Sequence, residues 1–299
     1  MNMPSILVCI LLLTTPFLTP GQTFGAEKIK IVATLFPTFD FARAIAGERG
    51  EVALLLPPGM EAHAFEPRPQ DILRINEADI FIYTGRYMEP WVDDILRGVS
   101  NKKLLIVDAG KGIQLMPAAG ARGFDPHIWL DFSNAQIMVS NILAGIIMKD
   151  PRNREIYAAR ALAYQRSLID LDTKFRQTFS TCGRRAFITT GHAAFGYFAR
   201  RYGLQQITPY RGSSPNAEPT PKMLDQLIRT VRSTKTPVVY YEELLSPKLA
   251  QTIADETQGA ILPLSAGHNI SKEDLASGVT FVSLMNENLE NLKKGLQCR

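Results

Sequence analysis

Short apolar runs alternate with longer amphipathic segments along most of the chain, and glycine, proline or polar residues separate them. In the first half this pattern predicts strands over residues 28–34, 52–56, 80–84 and 104–108, and helices over residues 36–46, 70–78 and 90–98. Strands that alternate with helices form parallel sheets whose faces are covered by the helices. We therefore predict an α/β fold.

The middle of the chain differs, because residues 152–182 contain neither glycine nor proline. Apolar side chains recur there at intervals of three and four, which places them on one face of a helix: Tyr164, Leu168, Leu171, Phe175 and Phe179. Asp150 and Pro151 supply a start signal and Gly183 a stop signal. We predict one long helix that joins two halves of the protein.

After Gly183 the alternation restarts, with strands predicted over residues 186–190, 238–241 and 260–264 and helices over 192–202 and 281–296. The two halves also match at a constant offset, as in Thr34 and Thr190 or Gly47 and Gly203. We expect an N-terminal α/β lobe over residues 26–151, a spine helix over 152–182 and a similar C-terminal lobe over 183–299.

The first residues have the composition of an export signal. Residues 6–13 are apolar, too few to span a bilayer comfortably, and small residues precede position 26. We predict that residues 1–25 are a signal peptide and that the mature protein is periplasmic. Cys9 lies inside the apolar run, too early for a lipidated cysteine, so a soluble protein is favoured over a lipoprotein. Cys182 and Cys298 would remain, either bridged or as two thiols.

Charge and composition limit the classes of function that fit this chain. The 299 residues carry a net charge of +4 without a run of lysine or arginine, which argues against nucleic-acid binding. The chain has only 4 histidines, and they lie in loops at or beyond the ends of predicted strands: His63, His127, His192 and His268. Parallel sheets bind ligands beyond the carboxyl ends of their strands, and imidazole suits zinc. We predict a metal site between the lobes.

Acidic residues accompany these histidines in sequence. Glu61, Glu66, Asp125 and Asp131 lie close enough to serve as carboxylates that orient the imidazole rings. Each of them taken alone is also compatible with a helix cap or a solvated surface charge.

Four ordered motifs carry a resemblance to a known family: HAFEP from His63, DPHIWLD from Asp125, TGHAAFGY from Thr190 and SPNAEPTP from Ser214. The chain resembles the zinc- and manganese-binding lipoproteins and adhesins, the solute-binding proteins of metal ABC transporters, over residues 28–297. The resemblance implies two lobes joined by one long helix, with metal bound between them. It also implies that His63 and His127 bind from the first lobe, and His192 from the second.

The last ligand departs from the family pattern, which usually has an aspartate after the final strand. Residues 260–272 contain no carboxylate; Ser265 takes the aspartate position, and His268 is the one strong donor nearby. We expect His268 to be the fourth ligand, with water as the alternative. Manganese-binding members tend to have glutamate where this chain has His192, so Zn²⁺ is favoured over Mn²⁺.

The resemblance implies a carrier rather than an enzyme: a monomer that captures zinc and hands it to an ABC permease in the cytoplasmic membrane. A zinc hydrolase with an open three-histidine site is an alternative, in which Glu61 or Glu66 would be the general base. A surface adhesin is a second alternative, since fold alone does not fix function.

Overall fold

A computed structural model describes residues 28–60, 62–63, 65–118, 123–210, 220–242 and 246–299. The first sheet contains β1 (Ile29–Ala33), β2 (Gly50–Leu54), β3 (Ile80–Tyr83) and β4 (Leu105–Asp108), all parallel in the order β2-β1-β3-β4. Its helices are α1 (Phe36–Ala46), α2 (Pro69–Asn76), α3 (Val92–Gly98) and α4 (Phe132–Lys149). Every residue of β3 is buried, as expected for a central strand covered on both faces.

The long helix α5 (Arg154–Ser180) has 27 residues, or roughly 40 Å at 1.5 Å per residue. Its stripe of Leu168, Leu171, Phe175 and Phe179 is fully buried. The helix packs on α1 and α4 of the first lobe. It therefore serves as the spine on which both halves of the molecule assemble.

The second sheet consists of β5 (Ala186–Thr189), β6 (Gln205–Ile207), β7 (Val238–Tyr241) and β8 (Ala260–Pro263). It is also parallel, and its order β6-β5-β7-β8 repeats that of the first sheet. The remaining helices are α6 (Gly196–Tyr202), α7 (Pro221–Thr234), α8 (Lys248–Thr257), α9 (Lys272–Ala276) and α10 (Phe281–Gly295). Both α6 and α10 also contact α5. The predicted fold of two similar α/β lobes joined by a long helix is confirmed.

The predicted start of one helix is wrong by four residues. We expected a helix from His192, but α6 begins at Gly196. The Gln206 side chain holds the intervening residues in an irregular turn, since it accepts from the backbone N–H of Phe195 and donates to the carbonyl of His192, both at 3.0 Å. A tertiary contact has replaced the first turn of the helix.

A disulfide joins Cys182, just after α5, to Cys298 near the end of the chain. It ties the spine to the segment that follows α10. The predicted signal peptide, Glu61 and the residues 214–219 of the fourth motif lie outside the described residues. Within the described part of the chain, no helix is both long enough and apolar enough to cross a membrane.

Candidate metal centre

All four histidines of the chain converge between the two sheets. The ring nitrogens of His63, His127 and His192 form a group in which the potential ligand atoms lie within 4.8 Å of one another. The Nε2 atom of His127 is 3.3 Å from Nε2 of His63 and 3.0 Å from Nε2 of His192. Three imidazole rings therefore turn the same nitrogen toward one point.

His127 is held by the aspartate two residues before it. Asp125 Oδ1 accepts from the backbone N–H of His127 at 3.0 Å and lies 2.8 Å from its Nδ1. Because a carboxylate can only accept, Nδ1 carries the proton and the lone pair of Nε2 faces the centre. Burial raises the pKa of Asp125 to about 6, so its carboxyl group is still ionised at neutral pH.

His192 has an equivalent partner that sequence analysis missed. Glu242, the residue after β7, places Oε1 2.8 Å from Nδ1 of His192 and 3.1 Å from its backbone nitrogen. Burial acts to raise the pKa of Glu242, but contact with His192 outweighs it and lowers the pKa below its ordinary value. The signal in the sequence was a carboxylate at the carboxyl end of a strand, the same edge to which the histidines were assigned.

His63 lies in the loop after β2 and is the one histidine of the four that is only partly buried. His268 follows β8 and is 5% exposed. The loops of these two histidines are bonded to each other across the lobes. Gly59 N–H donates to the carbonyl of Ile270 at 2.8 Å, and the Asn269 side-chain amide donates to the carbonyl of Pro57 at 2.9 Å.

His268 faces the same space as the other three rings. Its ring centroid is 5.9 Å from that of His192, 6.2 Å from that of His63 and 6.4 Å from that of His127. Its nitrogens are not part of the tight three-histidine group. The indole N–H of Trp129, two residues after His127, donates at 2.8 Å to the carbonyl of Ala266, which secures the His268 loop against the first lobe.

The electrostatics of the site favour neutral rings. Burial, together with the neighbouring imidazoles, lowers the pKa of His63 to about 2. Burial also lowers the pKa of His268 to about 3, although nearby Glu242 opposes the shift. Neutral imidazole is the form that binds a metal ion. These two rings therefore stay neutral, and able to bind a metal ion, at pH values well below the ordinary pKa of histidine.

This set of nitrogen ligands fits a divalent cation of intermediate softness, such as Zn²⁺. Zn–N bonds of about 2.0–2.1 Å in a tetrahedron place neighbouring nitrogens about 3.3 Å apart, close to the two Nε2 separations in this site. Lone pairs that face each other at such distances repel one another unless a cation lies between them. Imidazoles held by carboxylates on Nδ1 are the arrangement found around protein-bound zinc.

Two other predicted carboxylates lie elsewhere. Glu66 is exposed. Asp131 caps α4, where it accepts from the backbone N–H of Ser133 at 2.9 Å, and it forms an ion pair with Arg201 at 2.6 Å. Of the four acidic residues predicted to orient rings, the structure brings Asp125 to a histidine.

Comparison with known proteins gives a consistent picture. The chain matches the family described as ZnuA, zinc-uptake complex component A, periplasmic, over residues 31–295. It is 36% identical over 283 residues to the high-affinity zinc uptake system protein ZnuA of Bacillus subtilis (strain 168), with 90% of this chain and 88% of the relative covered. The match spans both lobes and the spine.

Streptococcal proteins are similar as well. The chain is 32% identical to the zinc-binding lipoprotein AdcA of Streptococcus pneumoniae (strain ATCC BAA-255 / R6), with 92% of this chain aligned but only 57% of the relative. The crystal structure of the Zn(II)-bound ZnuA-like domain of AdcA from Streptococcus pneumoniae superimposes with a TM-score of 0.80 at 33% identity, covering 90% of this chain and 99% of that domain.

Proposed function

The chain belongs to the ZnuA family of periplasmic zinc-uptake components, and from this membership and the histidine centre we propose that it captures zinc outside the cytoplasm and delivers it to an ABC-type permease. The single observation that supports this best is the convergence of three Nε2 atoms, two of them on rings held by buried carboxylates. In this proposal zinc is cargo, and the protein acts as a monomeric carrier.

We assign His63, His127, His192 and His268 as the zinc ligands. Four neutral nitrogen donors suit zinc, whereas manganese prefers harder oxygen ligands and lies lowest in the usual affinity order. The proposed ligands come from both lobes, so a bound ion would bridge them. Binding would then stabilise the whole molecule as well as the site.

Transport is favoured over the two alternatives. A catalytic zinc site keeps one position open for water, whereas in our assignment His268 would close the fourth position with a protein ligand. Glu66, one of two general bases considered for a hydrolase, is exposed. Membership in a zinc-uptake family also favours a carrier over an adhesin.

The test is metal analysis followed by competition. Mature protein purified without added metal should contain about one zinc per chain, and calorimetric competition should show zinc binding more tightly than manganese by at least tenfold. Manganese binding as tight as zinc would overturn the zinc assignment. Absence of a tight divalent-metal site would overturn the proposed function itself.

A further inference from the structure

One face of α6 docks the second lobe onto the first. Tyr197 and Arg201 are four residues apart and so lie on the same side of this helix. The Tyr197 hydroxyl accepts from the backbone N–H of Met116 at 2.9 Å. Arg201 Nη1 donates to Asp131 Oδ1 at 2.6 Å and to Ser133 Oγ at 2.9 Å. The contact joins the helix after His192 to the start of the helix after His127.

The same guanidinium also contacts the spine. Arg201 Nε and Nη2 donate to the two carboxylate oxygens of Asp172 on α5, at 2.7 and 2.8 Å. The Arg201 side chain is 13% exposed, and those of Asp131 and Asp172 are 10% and 15% exposed. Bidentate, partly buried arginine–carboxylate pairs have defined geometry, unlike exposed ion pairs. Arg201 therefore joins both lobes and the spine at one point.

Short, well-packed connections lead from this point to the metal centre. Asp131 is the fourth residue after His127, and the intervening Ile128, Trp129 and Leu130 are all buried. On the other side, α6 begins at the fourth residue after His192, and Gln206 fixes the turn between them. Because these segments are closely packed, a displacement caused by a change at Arg201 would reach the rings of both His127 and His192.

We propose that Arg201 is a positioning residue of the metal centre, which sets the separation of His127 and His192 by joining Asp131 to α6. Arg201 would not contact the metal. It acts by holding two ligands from different lobes at the spacing that zinc requires. This inference rests on the proposed function, since it assumes that these rings bind zinc.

The experiment compares Arg201→Gln with Arg176→Gln. Arg176 is a matched control, because it also donates to Asp172, at 3.1 Å, and its guanidinium lies 5.9 Å from the Tyr202 ring of α6, but its ion pair stays within α5 and does not reach Asp131. Zinc affinity is measured by competition with a chelating indicator, and Co²⁺ is added separately as a spectroscopic probe. Arg201→Gln should weaken zinc binding by about tenfold, the lower end of the effect of losing a group that is hydrogen-bonded directly to a metal ligand. Arg176→Gln should bind like the parent.

The cobalt spectrum separates positioning from general destabilisation. A distorted centre should lose visible absorption per bound Co²⁺ when fully loaded, whereas a protein that is merely less stable would keep the parent spectrum. Arg201→Lys keeps the positive charge but loses the planar guanidinium that bonds two carboxylates at once, so it should give intermediate zinc affinity.

A second variant guards against misfolding of Arg201→Gln. Asp131→Asn keeps a side chain able to cap α4 but weakens the interlobe ion pair, and it should reproduce the loss of affinity and the altered spectrum. If both variants match Arg176→Gln in zinc affinity and cobalt spectrum, Arg201 does not position the ligands. Failure of the parent to bind zinc would instead overturn the proposed function.

Discussion

Glu242 fixes His192 through a single oxygen, which accepts from the backbone N–H at 3.1 Å and lies 2.8 Å from ring Nδ1. Asp125 fixes His127 in the same way in the other lobe, at 3.0 and 2.8 Å. The two carboxylates come from different loops, since Asp125 precedes its histidine by two residues and Glu242 follows a neighbouring strand. Each ring is thereby restrained in orientation and in protonation.

We expect Glu242→Gln to weaken zinc binding about 10–100-fold, because an amide is a poorer acceptor for Nδ1–H and no longer enhances the basicity of Nε2. Glu256→Gln is the matched control, since Glu256 forms an exposed ion pair with Arg232. Isothermal titration in the presence of a competing chelator measures both. Equal affinities for Glu242→Gln and the parent would show that the carboxylate does not support the ligand.

We expect His268→Ala to weaken zinc binding at least tenfold, about 1.4 kcal/mol or more, because it opens the fourth position. His63→Ala should weaken binding further, since it removes one of the three rings whose nitrogens already lie together. The same competition titration compares the two variants. Parent-like affinity in His268→Ala would assign the fourth position to water, and the hydrolase alternative would gain support.

Glu89 provides a test of stability against pH. It is 1% exposed, and burial raises its pKa from 4.5 to about 7 even though Thr34 Oγ1 and two backbone N–H groups donate to it. Below pH 4.5 the carboxyl group is protonated in both the folded and the unfolded state. As pH rises toward 7 the unfolded state releases this proton first, so the folded state loses relative stability.

Glu89→Gln should remove that loss. Between pH 4.5 and 7.5 the difference in unfolding free energy should shift by about 3 kcal/mol in favour of the variant, since one pKa unit corresponds to about 1.4 kcal/mol. Urea unfolding of both metal-free proteins across this range gives the difference. A difference that stays constant with pH would mean that Glu89 titrates at its ordinary pKa.

The disulfide should contribute to stability. Cys182 and Cys298 are separated by 116 residues, so the bridge restricts the unfolded chain strongly, and Cys182→Ser with Cys298→Ser should lower the unfolding free energy by about 2–5 kcal/mol. Intact-mass analysis of the secreted protein after alkylation without reductant should show neither thiol modified. Two modified thiols would mean that the mature protein is not bridged.

Much of this architecture could be predicted because strong local patterns specify it. The central strands are continuous apolar runs, and the spine has a regular apolar stripe free of glycine and proline. The residues that match at a constant offset between the two halves also occupy equivalent places in the structure. Thr34 N–H donates to the carbonyl of Ile82 in β3, and Thr190 N–H donates to the carbonyl of Tyr240 in β7. Helix α4 was not predicted, although Asp131 is a good N-cap and the buried residues of the helix follow helical spacing.

What sequence reasoning missed depends on contacts between distant segments. Glu242 is 50 positions from His192, and no local pattern pairs them. Asp131 was expected near a ring because of its closeness in sequence, yet Arg201 draws its carboxylate toward the other lobe. The start of α6 was misplaced for the same reason, since Gln206 comes from the next strand.

The bonds between the loops of His63 and His268 bear on how cargo could be released. A hinge motion that separates the two lobes would break both the Gly59–Ile270 and the Asn269–Pro57 hydrogen bonds. Rotation of the His63 side chain would break neither, and it is the ring with the most access to solvent. On the proposed function, metal could therefore enter and leave by rotation of one side chain while the two lobes stay in place.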